Sequence, residues 1–343
     1  MTDRTTDTDR TRDAEPNDTD RRLDGDVADA DVDGLSIDEA VAAVAGDDRD
    51  PEVVRSALAR VAADGVLTRA AADDAVGEAA WSVATPETRV ELASIALSDA
   101  REAAAPVADV DLVRTRLDGF ETRVCALEER VDDLAERYQA VREAVDEGAS
   151  LAAVALELDA VVGEGRAVQR SADGCLHELE RFEAWVDDPD VRETRLGEDV
   201  AAVESMVDDL ADAADRVVAS DADGPVALAD GERVDAAVAW ADATMRHRMA
   251  TLLVADLRAE AATLREWPGE DAGGLAAIDD RLDDLERETE RVRDRLDDLA
   301  RPAWRERFGD RIDSVERAFA LLDPPVAWGE VQRTLERHRP REE

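Results

Sequence analysis

Apolar residues recur at alternating steps of four and three, without a miss, at Val113, Leu117, Phe120, Val124, Leu127, Val131, Leu134, Tyr138, Val141 and Val145. An α-helix places such a row along one side, and a side that apolar has to be covered by a second helix. The spacing resumes from Leu151 to Val186, with Gly165 and Ala172 in the middle, where small residues let a neighbouring helix come close. It returns from Leu196 to Val217 and from Leu275 to Leu299. Between these two, a helix over about 232–267 carries Val238, Ala241, Met245, Met249, Leu253 and Leu257, where the steps slip to successive fours, a stutter that unwinds a supercoil.

The rows are separated by Gly148-Ala149-Ser150, by Asp187-Asp188-Pro189, by a loop over 220–231 containing Gly224-Pro225, and by a loop over 268–274. Pro302 breaks the last row, and Ile312, Val315, Phe319 and Leu322 continue an amphipathic stretch to Pro324-Pro325. Short connections between long helices favour antiparallel neighbours. Residues 110–322 therefore read as a long-helix bundle or antiparallel coiled coil, and 326–343 as a short tail helix. No segment reads as a strand.

Upstream the pattern is different. Residues 1–34 are a Thr/Asp/Arg tract that cannot bury enough apolar surface to offset the entropy of ordering, so a disordered acidic tail is expected there. Ser36-Ile37-Asp38-Glu39 is a capping box that starts a short helix. Asp50-Pro51 starts a second with an acidic N-cap and Pro at the first helical position. Thr68 caps a third, ending at about 81–84, and Thr85-Pro86 begins a fourth by the same device as Asp50-Pro51. Residues 35–105 thus form a small helical module. Helices over about 51–64 and 68–81, joined around Gly65, have helix-turn-helix proportions, but no basic cluster marks a recognition helix, and the module reads as a packing or docking unit. The fold class is all-α.

Composition fixes the environment. Acidic residues outnumber basic ones 86 to 42, for a net charge of -44, and every basic residue is arginine. Such a chain repels itself unless salt screens it, so the expected setting is the salt-loaded cytoplasm of an extreme halophile. The acidic surface is a solvated face and does not by itself imply basic partners. No apolar run reaches the length of a membrane span, and Met1 to Arg12 lacks the apolar core of a signal peptide.

The lack of lysine rules out a complete Walker A loop and Schiff-base chemistry. Cys125, Cys175, His177, His247 and His338 form no metal-ligand spacing. Cys175 falls on the apolar row and reads as core, while His177 falls off it and reads as a solvated surface residue, without the proline that would complete a phosphoacceptor box. Carboxylate pairs such as Asp132 with Glu136 arise everywhere in so acidic a chain. No catalytic, cofactor-binding or metal-ligating residue is expected, and no cofactor.

Gly34-Leu35-Ser36-Ile37-Asp38-Glu39-Ala40-Val41, together with Val83-Ala84-Thr85-Pro86-Glu87-Thr88-Arg89-Val90-Glu91-Leu92-Ala93-Ser94 leading into a long heptad helix, resembles the haloarchaeal "halo transducer protein" family over about residues 34–145. The resemblance implies an archaeal, cytosolic protein, and the family's label points to sensory transduction. It carries over no site residue. The expectation is a cytoplasmic, non-enzymatic helical interaction or scaffold protein, a signalling-associated adaptor, with protein partners and self-association. Membrane and nucleic acid are not expected as partners. The alternative is a transcriptional or signalling regulator that uses 35–105 to contact DNA or a receptor.

Overall fold

The computed structural model describes residues 32–46, 49–219, 225–227, 233–267, 272–326 and 328–339, and among them ten α-helices and two short antiparallel strand pairs. The architecture is all-α. The expected disordered tail lies, up to residue 31, outside the described residues. Residues 32–34, expected to belong to that tail, are packed: Val32 is buried, and the Gly34 N–H donates to Leu67 O at 2.9 Å.

The first helices start where their caps put them. In α1 (Ile37–Val44) the Ser36 N–H donates to Glu39 Oε2 at 3.0 Å and the Glu39 N–H to Ser36 Oγ at 3.4 Å. In α2 (Pro51–Arg60) Asp50 Oδ1 accepts from the Glu52 N–H at 2.9 Å. The segment after α2 departs from the sequence expectation. In place of a helix-turn-helix corner there is a hairpin, β1 (Ala62–Ala63) with β2 (Val66–Leu67), pairing Ala62 with Leu67 and Ala63 with Val66. Asp64 and Gly65 both take positive φ, at 52° and 79°, the conformation a two-residue hairpin turn needs and Asp-Gly readily supplies.

A second correction concerns Pro86. It does not begin a helix; α3 runs unbroken over Arg69–Ala104 with Pro86 inside. Proline removes the N–H that would bond the Ser82 carbonyl four residues back. That carbonyl lies against Gly165, so close that a Cβ there would come within 2.1 Å of it. The helix bearing Gly165 packs on the spot where the α3 ladder is interrupted.

The remaining helices are α4 (Asp111–Asp146), α5 (Leu151–Asp187), α6 (Pro189–Ala219), α7 (Ala236–Arg265), α8 (Ala272–Leu299), α9 (Pro302–Phe319) and α10 (Trp328–His338). Strands β3 (Pro225–Ala227) and β4 (Arg233–Asp235) pair just before α7, inside a stretch that reads from the sequence as loop and helix. At 36, 36 and 37 residues, α3, α4 and α5 are each about 54 Å long.

The chain forms two compact units, one from the chain up to Thr88 with Glu129–Gln169, the other from Arg89–Glu128 with Arg170 onward. In the first, Val54, Leu58 and Leu67 share a core with Leu134, Tyr138 and Leu158. The Tyr138 hydroxyl donates to Val76 O at 3.1 Å, and Arg60 pairs with Asp159 at 2.6 Å. In the second, α7 packs against α6, α8 and α9. Its burial departs from the expected stutter: Met249 and Leu253 are half-buried, whereas Trp240, Thr244 and His247 are buried. A helix with neighbours on three sides has no single apolar stripe. No helix among the described residues is long and apolar enough to cross a membrane.

Candidate functional site

In the second unit a cleft of about 850 Å³ opens where α4, α5 and α6 meet the segment that leads into α10. Helical spacing aims its wall residues together. Arg116, Phe120 and Arg123 stand one turn apart on α4, as do Glu178, Phe182 and Trp185 on α5. Phe120 meets Phe182 edge-on at 5.5 Å between ring centroids, and Phe182 stacks on Trp185 at 5.8 Å. Trp185 meets Trp267 edge-on at 5.4 Å.

The joint between α5 and α6 fixes this cluster. Arg192, buried near the start of α6, donates through Nη1 to Trp185 O at 3.0 Å and Val186 O at 2.8 Å. It thereby satisfies carbonyls that the last turn of α5 leaves without helical partners. The same guanidinium lies over Trp267, 4.8 Å from the centroid. Trp185 is held on both sides, since Arg116 stacks over its ring at 4.0 Å. Yet Trp185 Nε1 is buried and, among the described residues, has no acceptor. Buried donors are rarely left so.

Charge is concentrated around Arg116. Its Nη2 donates to Glu260 Oε1 at 2.6 Å, and Glu260 is itself buried. Burial raises the proton affinity of Glu260 more than Arg116 lowers it. Burial likewise raises Asp199, which lines the cleft, against the pull of Arg195 and Arg116. Burial also raises Asp256, which accepts from the Val326 N–H and from Trp328 Nε1, both at 2.9 Å. Those two bonds tie the wall formed by Val326 and Trp328 to α7. The cleft therefore offers aromatic faces and guanidinium donors, with one carboxyl, Asp199, that holds its proton more tightly than usual.

The residues singled out from the sequence lie elsewhere or stand apart. Cys175 is buried on its apolar row, and burial pushes its thiol up. Cys125 is exposed, as are Asp132 and Glu136. His177 is on the surface of α5, 3.9 Å from Glu180. His247 is buried with Nε2 2.9 Å from Thr289 O, and since a carbonyl only accepts, that nitrogen carries the proton. No group of three or more His, Cys, Asp or Glu side chains among the described residues is placed to hold a metal ion. Sequence reasoning missed Arg116, Trp185, Arg192 and Glu260. The available signal was the gathering of Phe182 and Trp185 just before the Asp187-Asp188-Pro189 break.

Comparison of the chain with protein-family models, with curated proteins and with solved structures gives no match.

Proposed function

We propose that this chain is a non-enzymatic helical interaction protein of a haloarchaeal cytoplasm, a signalling-associated adaptor, and that the cleft of its second unit is where a ligand acts on it. The observation that carries the reading is the cleft itself: aromatic walls, guanidinium groups at its rim and a volume in the range of ligand pockets. Four separate stretches of chain contribute to its walls, so an occupant would touch all of them at once. The resemblance to the halo transducer family favours a sensory role.

The frame reads as antiparallel helical pairs. In the first unit Arg130 pairs with Glu164 and Arg137 with Glu157, so positions rise on α4 as they fall on α5. Between α7 and α8, Trp240 donates to Leu296 O, His247 to Thr289 O, and Arg258 reaches Glu286, again in opposed order.

A thermal-melt screen of the full chain against a broad library of small molecules, in roughly 2 M KCl to shorten the Debye length to a few ångströms, tests the reading. Members that raise the melting temperature and are recovered unchanged are the expected result. A library without one hit, or chemical conversion of a hit, overturns it.

A further inference from the structure

The chain carries two acids for each arginine, 86 against 42, but along the cleft the two are close to balance. Its arginines are Arg116, Arg123, Arg181, Arg195 and Arg333. Its acids are Glu178, Asp190, Glu198 and Asp199. The pairing among them is uneven. Arg123 is satisfied by Glu178 at 2.6 Å, and Arg116 by Glu260. Arg181 and Arg195 share one carboxylate, Glu198, at 3.7 and 3.6 Å, and Arg195 lies 3.4 Å from Asp199. Those separations give attraction without the hydrogen bonds of about 2.7–2.9 Å that charged donors make when engaged. A guanidinium carries five N–H donors and no acceptor. The cleft thus sets the loosely paired guanidinium groups of Arg181 and Arg195 beside an apolar lining of Phe120, Phe182, Val191 and Trp328.

A neutral apolar ligand would leave these donors unused, and a cation would face the arginines. An inorganic anion would engage the donors but leave the aromatic walls uncovered. We propose that the cleft binds a small organic carboxylate with an aryl or alkyl body, its body on the aromatic lining and its head on the guanidinium groups of Arg181 and Arg195. The inference rests on the cleft being a binding site, as argued above, and adds the chemistry of what it selects. Salt screens the charge term in molar KCl, so the apolar body supplies most of the affinity and the head supplies the choice between otherwise similar molecules.

Titration calorimetry of the full chain at roughly 2 M KCl, with 2-naphthoate, 2-naphthamide and inorganic phosphate as probes, decides it. The expected result is saturable binding of one 2-naphthoate, binding of 2-naphthamide weaker by about tenfold, and no heat with phosphate. Arg181→Gln with Arg195→Gln should weaken 2-naphthoate by about tenfold and leave 2-naphthamide unchanged. The naphthoate-to-naphthamide ratio is read on the unaltered chain, so a variant that fails to fold does not remove the test. Equal binding of the two naphthalene probes overturns the anion selectivity while the cleft stands as a site. So does a silent 2-naphthoate alongside other hits in the melt screen. If 2-naphthoate is silent and the screen is empty, both readings fall.

Discussion

A methyl group at position 165 has nowhere to go: its Cβ would sit 2.1 Å from the Ser82 carbonyl oxygen, and that oxygen belongs to a backbone held by α3. Gly165→Ala should therefore cost about 1–3 kcal/mol, the usual range for forcing atoms into a filled contact. Gly163 and Gly174 lie on the same helix, and a methyl added at either would meet nothing within 4 Å. Replacing either with alanine should stabilise by about 0.5–1 kcal/mol. Denaturant unfolding of the three variants in molar KCl checks the contrast, and equal effects at 163 and 165 would refute the close approach. His247 gives a second test at this scale. Burial, reinforced by Arg248 and Arg293, lowers its proton affinity in the fold, while the hydrogen bond to Thr289 O and the charge of Asp297 act the other way. A histidine depressed in the folded state keeps its stabilising contribution above its unfolded pKa of about 6.5 and loses it as pH falls below that, because the unfolded chain takes up the proton first. Asp199, Asp256 and Glu260 are raised by burial and have the opposite sign, gaining stability as pH falls through their folded pKa. They titrate in His247→Gln as well. The difference between the wild-type and variant stability profiles should therefore narrow below pH ~6.5, and parallel profiles would count against a buried neutral His247.

The long helices are where the sequence was most legible. Every member of the rows on α5 and α6 is buried, Gly165 included, and on α4 all but Leu117 and Val145. Leu127→Ala should cost about 2–5 kcal/mol, whereas Glu128→Ala, one position round the helix and exposed, should cost little. Comparable losses, read from urea or guanidinium midpoints, would mean the frame is wrongly placed. The spacing rule works here because these helices bury one side. It fails for α7, which is covered on three sides and carries Trp240, Thr244 and His247 inward as well as its apolar residues. Pro86 defeats a local rule for a different reason: whether proline starts a helix or sits within one depends on what packs against the exposed carbonyl, and Gly165 lies 79 positions away. Asp64-Gly65 is a hairpin signal legible in the sequence, but a glycine there also suits a helix end, and the flanking strands are only two residues each. The cleft was the least legible part. Arg116 and Glu260 are 144 positions apart, and Trp185 stands beside an apolar row that already accounts for Val186.

At the scale of the whole chain, core membership sets which fragments can fold. Leu134, Tyr138, Val141, Leu151 and Leu158 complete the core that Val54, Leu58 and Leu67 begin. A fragment over 35–105 lacks them and should remain unfolded by circular dichroism, while one over 32–169 should show a cooperative helical melt in molar KCl; a folded 35–105 fragment would mean the smaller module is self-sufficient. Charge sets the medium in which any of this holds. Twice as many acids as arginines give the chain a net charge of -44. Many arginines are already engaged across helices, as in Arg281 with Glu204 at 2.8 Å and Arg101 with Glu121 at 2.6 Å, which leaves a large excess of carboxylates facing one another. Each exposed pair contributes at most about 1 kcal/mol, so these bridges do not cancel the long-range repulsion of the surplus. Repulsion acts over about 30 Å at 0.01 M salt and about 3 Å at 1 M, and the second distance is shorter than the spacing between packed helices. Unfolding spreads the charges apart, so low salt favours the unfolded chain and high salt the folded one. Helix content followed by circular dichroism should rise cooperatively with KCl and level off near molar concentration, with the denaturation midpoint rising alongside it. A chloride salt and a sulfate salt of equal ionic strength separate screening, which both supply, from the surface exclusion that sulfate adds. Full, cooperative helix content in about 20 mM salt, where the Debye length is still longer than a helix diameter, would show that packing alone overcomes the charge and would remove the case for a salt-adapted protein.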